Sequence, residues 1–271
     1  MKTRLAPTPS GFLHLGNALS FALTKRIAQR YGAGVLLRID DMDRDRVSEE
    51  YVRDIFDTLQ YLGIDWDEGP ENLEDYKAAY AQIHRMSLYE QALQKLRPRL
   101  YACVCSRAQL QQRACACKDK HIPLETNDVN WRIATDDRVL TVKEASHGDG
   151  VRAALPEDMR DFVVRKKDGF PAYQLTSVID DLHFKTTIIV RGEDLWNSTL
   201  AQLYLAQTLN EPHFENITFF HHPLLTDSAG HKLSKSAGST SIQSMRKKGV
   251  PADKVYDRIH GMLEGILRTV R

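Results

Sequence analysis

Lys232 and Lys235 stand three positions apart in the run Lys232-Leu233-Ser234-Lys235-Ser236. Two ammonium groups with small hydroxyls between them suit the phosphates of a nucleotide and a departing pyrophosphate. Near the other end of the chain, Ser10, Gly11, His14 and Gly16 occupy a turn between an apolar stretch and a helical one. A strand that turns into a helix start aims backbone N–H groups and a positive dipole end at an anion. Gly16 lets an adenine or ribose approach the backbone, and His14 can donate to a phosphate oxygen as charge builds on the α-phosphoryl group. Taken singly, the first run also reads as a solvated lysine loop and the second as a surface histidine beside a helix cap. Both in one chain, in this order, favour a nucleotide site.

All four cysteines lie in Cys103-Val104-Cys105 and Cys115-Ala116-Cys117, with nine residues between the pairs. Two thiolates one residue apart can face one ion from a hairpin-like loop, and four sulfurs satisfy tetrahedral zinc. The alternative is four free thiols. In a reducing compartment such a cluster points to metal before disulfides.

The elements that must position these groups follow from periodicity. Thr3 to Ala6 reads as a short strand, broken by Pro7-Thr8-Pro9-Ser10-Gly11. Leu19, Leu23 and Ile27 recur at helical spacing between Leu15 and Arg30, Gly32 and Gly34 stop that helix, and Val35 to Ile39 is a continuous apolar strand. Amphipathic patterns predict a helix over 49–62 and a long one over 74–96. Strand, helix, strand, helix argues a doubly wound α/β domain. Residues 101–156 are polar and hold the cysteines, so they read as an insertion outside the core. Apolar runs return at 161–164 and 185–191, and 198–209 reads as helix. After Ser236 the 271-residue chain has 35 residues left, room for about two short helices. The expected divisions are 1–98 and 161–225 for the two parts of a catalytic domain, 99–160 for the cysteine-bearing insert, and 226–271 for the lysine loop and a short helical segment.

A hydrophobic fraction of 42% fits a globular enzyme, and a net charge of only +1 announces no bulk nucleic-acid surface. No apolar run is long enough to span a membrane, and the start lacks a signal-peptide core, so a cytoplasmic protein without a membrane partner is expected.

Arg4-Leu5-Ala6-Pro7-Thr8-Pro9-Ser10-Gly11-Phe12-Leu13-His14-Leu15-Gly16-Asn17 resembles the opening of glutamyl-tRNA synthetases, of the class I aminoacyl-tRNA synthetase family. Leu37 to Arg44, Phe170 to Leu175, Val178 to Asp181 and Ile189 to Asp194 are similar to later blocks of the same family, in the same order. The resemblance implies a Rossmann-type class I catalytic domain with an inserted cysteine-bearing subdomain and a short helical C-terminal segment. It further implies that Arg4 and Arg191 face a glutamate side-chain carboxylate, a pairing that selects the acid over its amide. Asp40, where the family carries a glutamate, would meet the substrate ammonium, and Tyr173 would line the pocket. Leu5, Ala6, Pro7 and Thr8 would supply loop contacts, while His14, Gly16, Asn17, Lys232 and Lys235 would hold ATP. Structural ion pairs and helix caps are the plain alternatives for these charged residues. Family members often carry zinc in the insert, beginning with the same Cys-X-Cys; the second half here departs from the usual spacing, which makes His121 a reserve ligand.

A full-length family member would continue into a helical anticodon-binding region. The short stretch after Ser236 makes the chain resemble the truncated branch, which attaches glutamate to queuosine in the anticodon of tRNA(Asp). The expected partners are therefore ATP with Mg2+, L-glutamate and queuosine-bearing tRNA(Asp), and the expected state is a monomer. A conventional glutamyl-tRNA synthetase core charging tRNA(Glu), or a non-catalytic RNA-binding paralogue, are the competing expectations.

Overall fold

The computed structural model describes residues 1–112, 114–224 and 241–269. In chain order its elements are β1 (Lys2–Leu5), α1 (Leu15–Tyr31), β2 (Gly34–Leu37), α2 (Glu49–Tyr61), α3 (Leu73–Asp75), α4 (Met86–Leu96), β3 (Leu100–Cys103) and α5 (Arg107–Gln112). There follow β4 (Asn130–Ile133), β5 (Val139–Glu144), β6 (Val151–Ala154), β7 (Val163–Arg165), α6 (Tyr173–His183), β8 (Ile188–Gly192) and α7 (Trp196–Leu209). The chain continues through α8 (Pro212–Glu215), β9 (Thr218–His222), α9 (Ile242–Lys247) and α10 (Ala252–Thr269).

β1 and β2 pair in parallel, Arg4 opposite Leu36. A four-stranded sheet has the order β6-β5-β9-β8, with only the β5–β6 pair antiparallel. The Thr187 N–H donates to the Lys2 carbonyl at 2.8 Å, tying β1 to the entry of β8. Ile188, Val190 and Phe220 face one core with Leu19, Leu23 and Ile27 of α1. Ile189 and Phe219 face a second core with Val178 of α6 and Tyr204 of α7. Burial on both faces is why these strands read as unbroken apolar runs. Gly32 ends α1 in the left-handed region at φ 57°, which costs glycine little.

Three sequence expectations differ. The helix expected over 74–96 is broken: Tyr76–Tyr80 winds as one π turn, Ala81 is extended, and α4 begins only at Met86. No Gly or Pro marks the break; it is imposed by Gln82, whose N–H donates to Asp41 Oδ1 at 2.9 Å and whose amide oxygen accepts from the Met42 N–H at 2.7 Å. The last part of the stretch read as an insertion is core, since β5 runs parallel to β9 with Leu140 and Val142 fully buried. Only alternate residues of β5 face inward, so its sequence looks polar. Of the two C-terminal helices, α10 is long, 18 residues, and places Val255, Ile259 and Leu263 in the α1 core. Among the described residues no helix is long and apolar enough to cross a membrane.

Candidate active site

α1 begins at the mouth of a cleft, and its cap is His14. The His14 ring Nδ1 accepts from the Gly16 N–H at 3.1 Å, while Asn17 Oδ1 accepts from the His14 N–H at 3.0 Å, a reciprocal capping box. With Nδ1 an acceptor, the proton of the neutral ring sits on Nε2. A Cβ on Gly16 would meet the His14 ring at 3.0 Å, so a larger residue there would press on the ring and shift it from this close approach to the turn. The Leu13 carbonyl accepts from the Ile242 N–H at 2.9 Å, which docks the start of α9 on the same turn.

Behind the turn lies a buried charge cluster. Asp181, fully buried on α6, takes Arg4 Nε at 3.2 Å and Arg38 Nη1 at 2.8 Å on the same oxygen. Arg38 holds both oxygens of Asp40, at 2.7 and 3.0 Å. Burial pulls against the Arg38 charge, yet Asp181, Asp40 and Asp180 hold its guanidinium well above its ordinary value. Burial raises the Asp40 carboxyl above the usual carboxylate range, with Arg38 opposing. A substrate ammonium at Asp40 would share the carboxylate with Arg38.

Arg191, at the end of β8, is different. Its Nη1 donates to Gln202 Oε1 at 2.9 Å and to Thr199 Oγ1 at 3.3 Å, both uncharged, and the guanidinium lies 5.4 Å from the Phe219 ring centre. Nε and Nη2 are buried with no hydrogen-bond partner among the described residues. Burial pulls the Arg191 guanidinium down to about 10. A buried cation in this condition favours an arriving anion.

Arg4 to Thr8, His14, Gly16, Asn17, Asp40, Tyr173 and Arg191 all line one cavity of about 420 Å³. Tyr173 opens α6 and is half-exposed. Lys232 and Lys235 lie outside the described residues. A second cavity of about 810 Å³, lined by Met42, Ser106, Leu110, Arg132 and Lys166 among others, shares Thr8, Asp40 and Tyr173 with the first.

Residue reasoning gave no role to the supporting acid Asp180. It takes Arg85 on both oxygens at 2.7 and 3.1 Å, Tyr89 Oη at 2.7 Å and Gln82 Nε2 at 2.9 Å, so the residue that breaks the expected helix also braces the 40–42 loop. The available signal was two adjacent acids after Leu175, Val178 and Ile179, positions that a helix buries and that call for cations.

The cysteines converge. Cys103, Cys105, Cys115 and Cys117 place their sulfurs within 4.8 Å of one another, with Cys103–Cys115 at 3.5 Å and Cys105–Cys117 at 3.6 Å. Tetrahedral zinc with Zn–S near 2.3 Å needs sulfurs about 3.8 Å apart, so the donor set fits a metal. Burial, then the neighbouring thiols, pushes the Cys105 thiol up to about 12, a penalty a bound cation removes. His121, exposed and at φ 50°, is not part of this group.

The family model for the catalytic domain of class I tRNA synthetases (E and Q) matches residues 1–262, and the chain belongs to that family. It is 34% identical, over 98% of its length, to the glutamyl-Q tRNA(Asp) synthetase of Nitratidesulfovibrio vulgaris, covering 87% of that protein. It is 33% identical, over 92% of its length, to glutamate–tRNA ligase 2 of Syntrophus aciditrophicus, of which it spans 54%. Among solved structures, glutamate-tRNA synthetase from Elizabethkingia anophelis shares the fold with a TM-score of 0.72 at 23% identity, over 92% of this chain and 54% of that one.

Proposed function

We propose that this protein activates L-glutamate with ATP and transfers the glutamyl group to queuosine in the anticodon of tRNA(Asp). The observation that carries the glutamate reading is Arg191, a buried guanidinium without a carboxylate partner among the described residues, facing the cavity that the His14 turn also lines. On this reading Arg4 and Arg191 receive the side-chain carboxylate, and Asp40 with Tyr173 the amino end. The α1 N-terminus, His14 Nε2–H, Lys232 and Lys235 hold the phosphates, with Mg2+ accompanying them. A glutamate α-carboxylate oxygen attacks the α-phosphorus in line; the new O–P bond forms as the bond to the bridging oxygen breaks, and pyrophosphate leaves. A queuosine hydroxyl then attacks the activated carbonyl, and AMP leaves. The second cavity, joined to the first at Thr8, Asp40 and Tyr173, gives the acceptor nucleotide a route to that carbonyl. The four cysteines hold structural zinc beside that route.

The similarity to a protein named glutamyl-Q tRNA(Asp) synthetase supports the acceptor; the similarity to glutamate–tRNA ligases favours 3′-end charging of tRNA(Glu) as the second reading. Glutamate-dependent ATP–pyrophosphate exchange, followed by labelling of the two tRNAs with radioactive glutamate, decides. Label on queuosine-containing tRNA(Asp) is expected. Label on tRNA(Glu) alone overturns the acceptor, and no exchange with either tRNA present overturns the activity.

A further inference from the structure

Two arginines reach the cleft, and the fold treats their charges oppositely. Arg4 is compensated, since Asp181 accepts its Nε. Among the described residues Arg191 hydrogen-bonds only to neutral oxygens, with Asp181 acting on its charge from a distance. The neutrality is built in depth. Gln202 is fully buried on α7; Nε2 donates to Gln174 Oε1 at 3.1 Å, Gln174 Nε2 in turn donates to Ser198 Oγ at 3.0 Å, and since the Arg191 guanidinium can only donate, this orientation of the amide satisfies all three side chains. With its N–H2 committed there, Gln202 must present oxygen to Arg191.

The second support is equally neutral. His221 Nδ1–H donates to Glu144, so in the neutral ring Nε2 accepts from the Thr199 hydroxyl at 2.8 Å, and the hydroxyl oxygen keeps its lone pairs to accept from Arg191 Nη1 at 3.3 Å. The acid behind this route, Glu144, is engaged by His221 Nδ1 at 2.5 Å and does not reach the guanidinium. A glutamate at position 202 would fit the same volume and accept the same hydrogen bond, yet it would cancel the charge on Arg191.

We infer that Gln202 is the specificity-setting positioning residue of the cleft, orienting Arg191 with a neutral amide so that the full guanidinium charge is kept for an acidic amino-acid side chain. The inference rests on the glutamate-activating reading above. It explains how an arginine 3% exposed can discriminate a carboxylate from the isosteric amide: the partner it is denied by the fold is the one the substrate brings.

The test uses the whole chain and compares wild type, Gln202→Glu and Gln202→Met in ATP–pyrophosphate exchange with glutamate and with glutamine, alongside thermal melting. Gln202→Glu is expected to raise the KM for glutamate roughly tenfold or more, with the KM for ATP and the melting temperature little changed. It should shrink the glutamate-over-glutamine preference by a similar factor. Gln202→Met, neutral and close in size, loses the orienting hydrogen bond but adds no charge, and is expected to weaken that preference only a few-fold, clearly less than Gln202→Glu. A Gln202→Glu protein that retains the wild-type preference overturns the inference, as does a Gln202→Met protein that loses it equally, which would mark a role in packing alone. Wild type without glutamate-dependent exchange would instead overturn the underlying reading, and this inference with it.

Discussion

Asp180 shows what a single buried carboxylate does for this fold. Burial works to raise its pKa, but hydrogen bonds from Arg85 and Tyr89 and the charges of Arg38 and Arg85 outweigh it and hold the carboxyl below the usual range. With the folded value depressed, the unfolded chain binds the extra proton in the window beneath about pH 4, so this contribution is full above that value and is lost as the pH falls through the folded pKa. Asp40, whose carboxyl is raised by burial, contributes with the opposite sign. We therefore expect Asp180→Asn to lower stability at pH 7 by about 3–5 kcal/mol, because Arg85 keeps its charge in a buried place. We also expect a shallower loss of stability below about pH 4 than in wild type, the window the linkage names. Urea unfolding across that range measures both quantities, and an unchanged acid slope would count against the assignment. The residue type was visible in Val178-Ile179-Asp180-Asp181, but its partners were not. Gln82, Arg85 and Tyr89 come from a segment about a hundred positions earlier in sequence, and no local pattern pairs them with α6.

At the scale of the element, α1 does two jobs through one residue. His14 caps the helix with Nδ1, and on the proposed reading it offers Nε2–H to a phosphate. The two roles separate by substitution. Asparagine is among the strongest N-caps, so His14→Asn should stay within about 0.5 kcal/mol of wild-type stability, whereas His14→Ala should cost about 1 kcal/mol. Both should slow adenylate formation by about 10²-fold or more, since neither has the donor at the ring's distance. Pre-steady-state exchange together with thermal unfolding reads the two effects; a His14→Asn enzyme of wild-type rate would leave the histidine as a cap alone. The strand–turn–helix order and α1 itself were legible, because leucines at helical spacing and the stop at Gly32 are local signals. The break at Ala81 was not, because it follows from hydrogen bonds to the 41–42 loop that override the local preference for helix.

In the whole molecule, the cysteine loop is linked to the catalytic side through β4, which pairs with β3 on one edge and β7 on the other, and β7 leads into α6 and Tyr173. Lys167 Nζ on that path donates to the Val104 carbonyl at 2.9 Å, and Cys105, Ser106 and Leu110 form part of the second cavity's wall. On the proposed reading, loss of a bound metal should therefore reach the acceptor route before it reaches amino-acid activation. Cys103→Ser, or treatment with a chelator, is expected to remove about one zinc per chain, lower the melting temperature and cut glutamyl transfer about tenfold or more, with pyrophosphate exchange largely kept. Metal analysis and the two assays run in parallel check this, and equal loss of both activities would argue for general unfolding instead. By itself the sequence determined the kinds of chemistry present: a glycine-bearing helix start, a lysine pair, four closely spaced thiols and arginines in an α/β frame, all carried by local spacing and residue type. How those charges are shared is a matter of the folded chain. Arg4 is paired to Asp181 while Arg191 is left to Gln202 and Thr199. That division depends on which side chains meet across β1, α6, β8 and α7, and contacts between distant segments follow from packing of the whole chain, which no single stretch of sequence encodes.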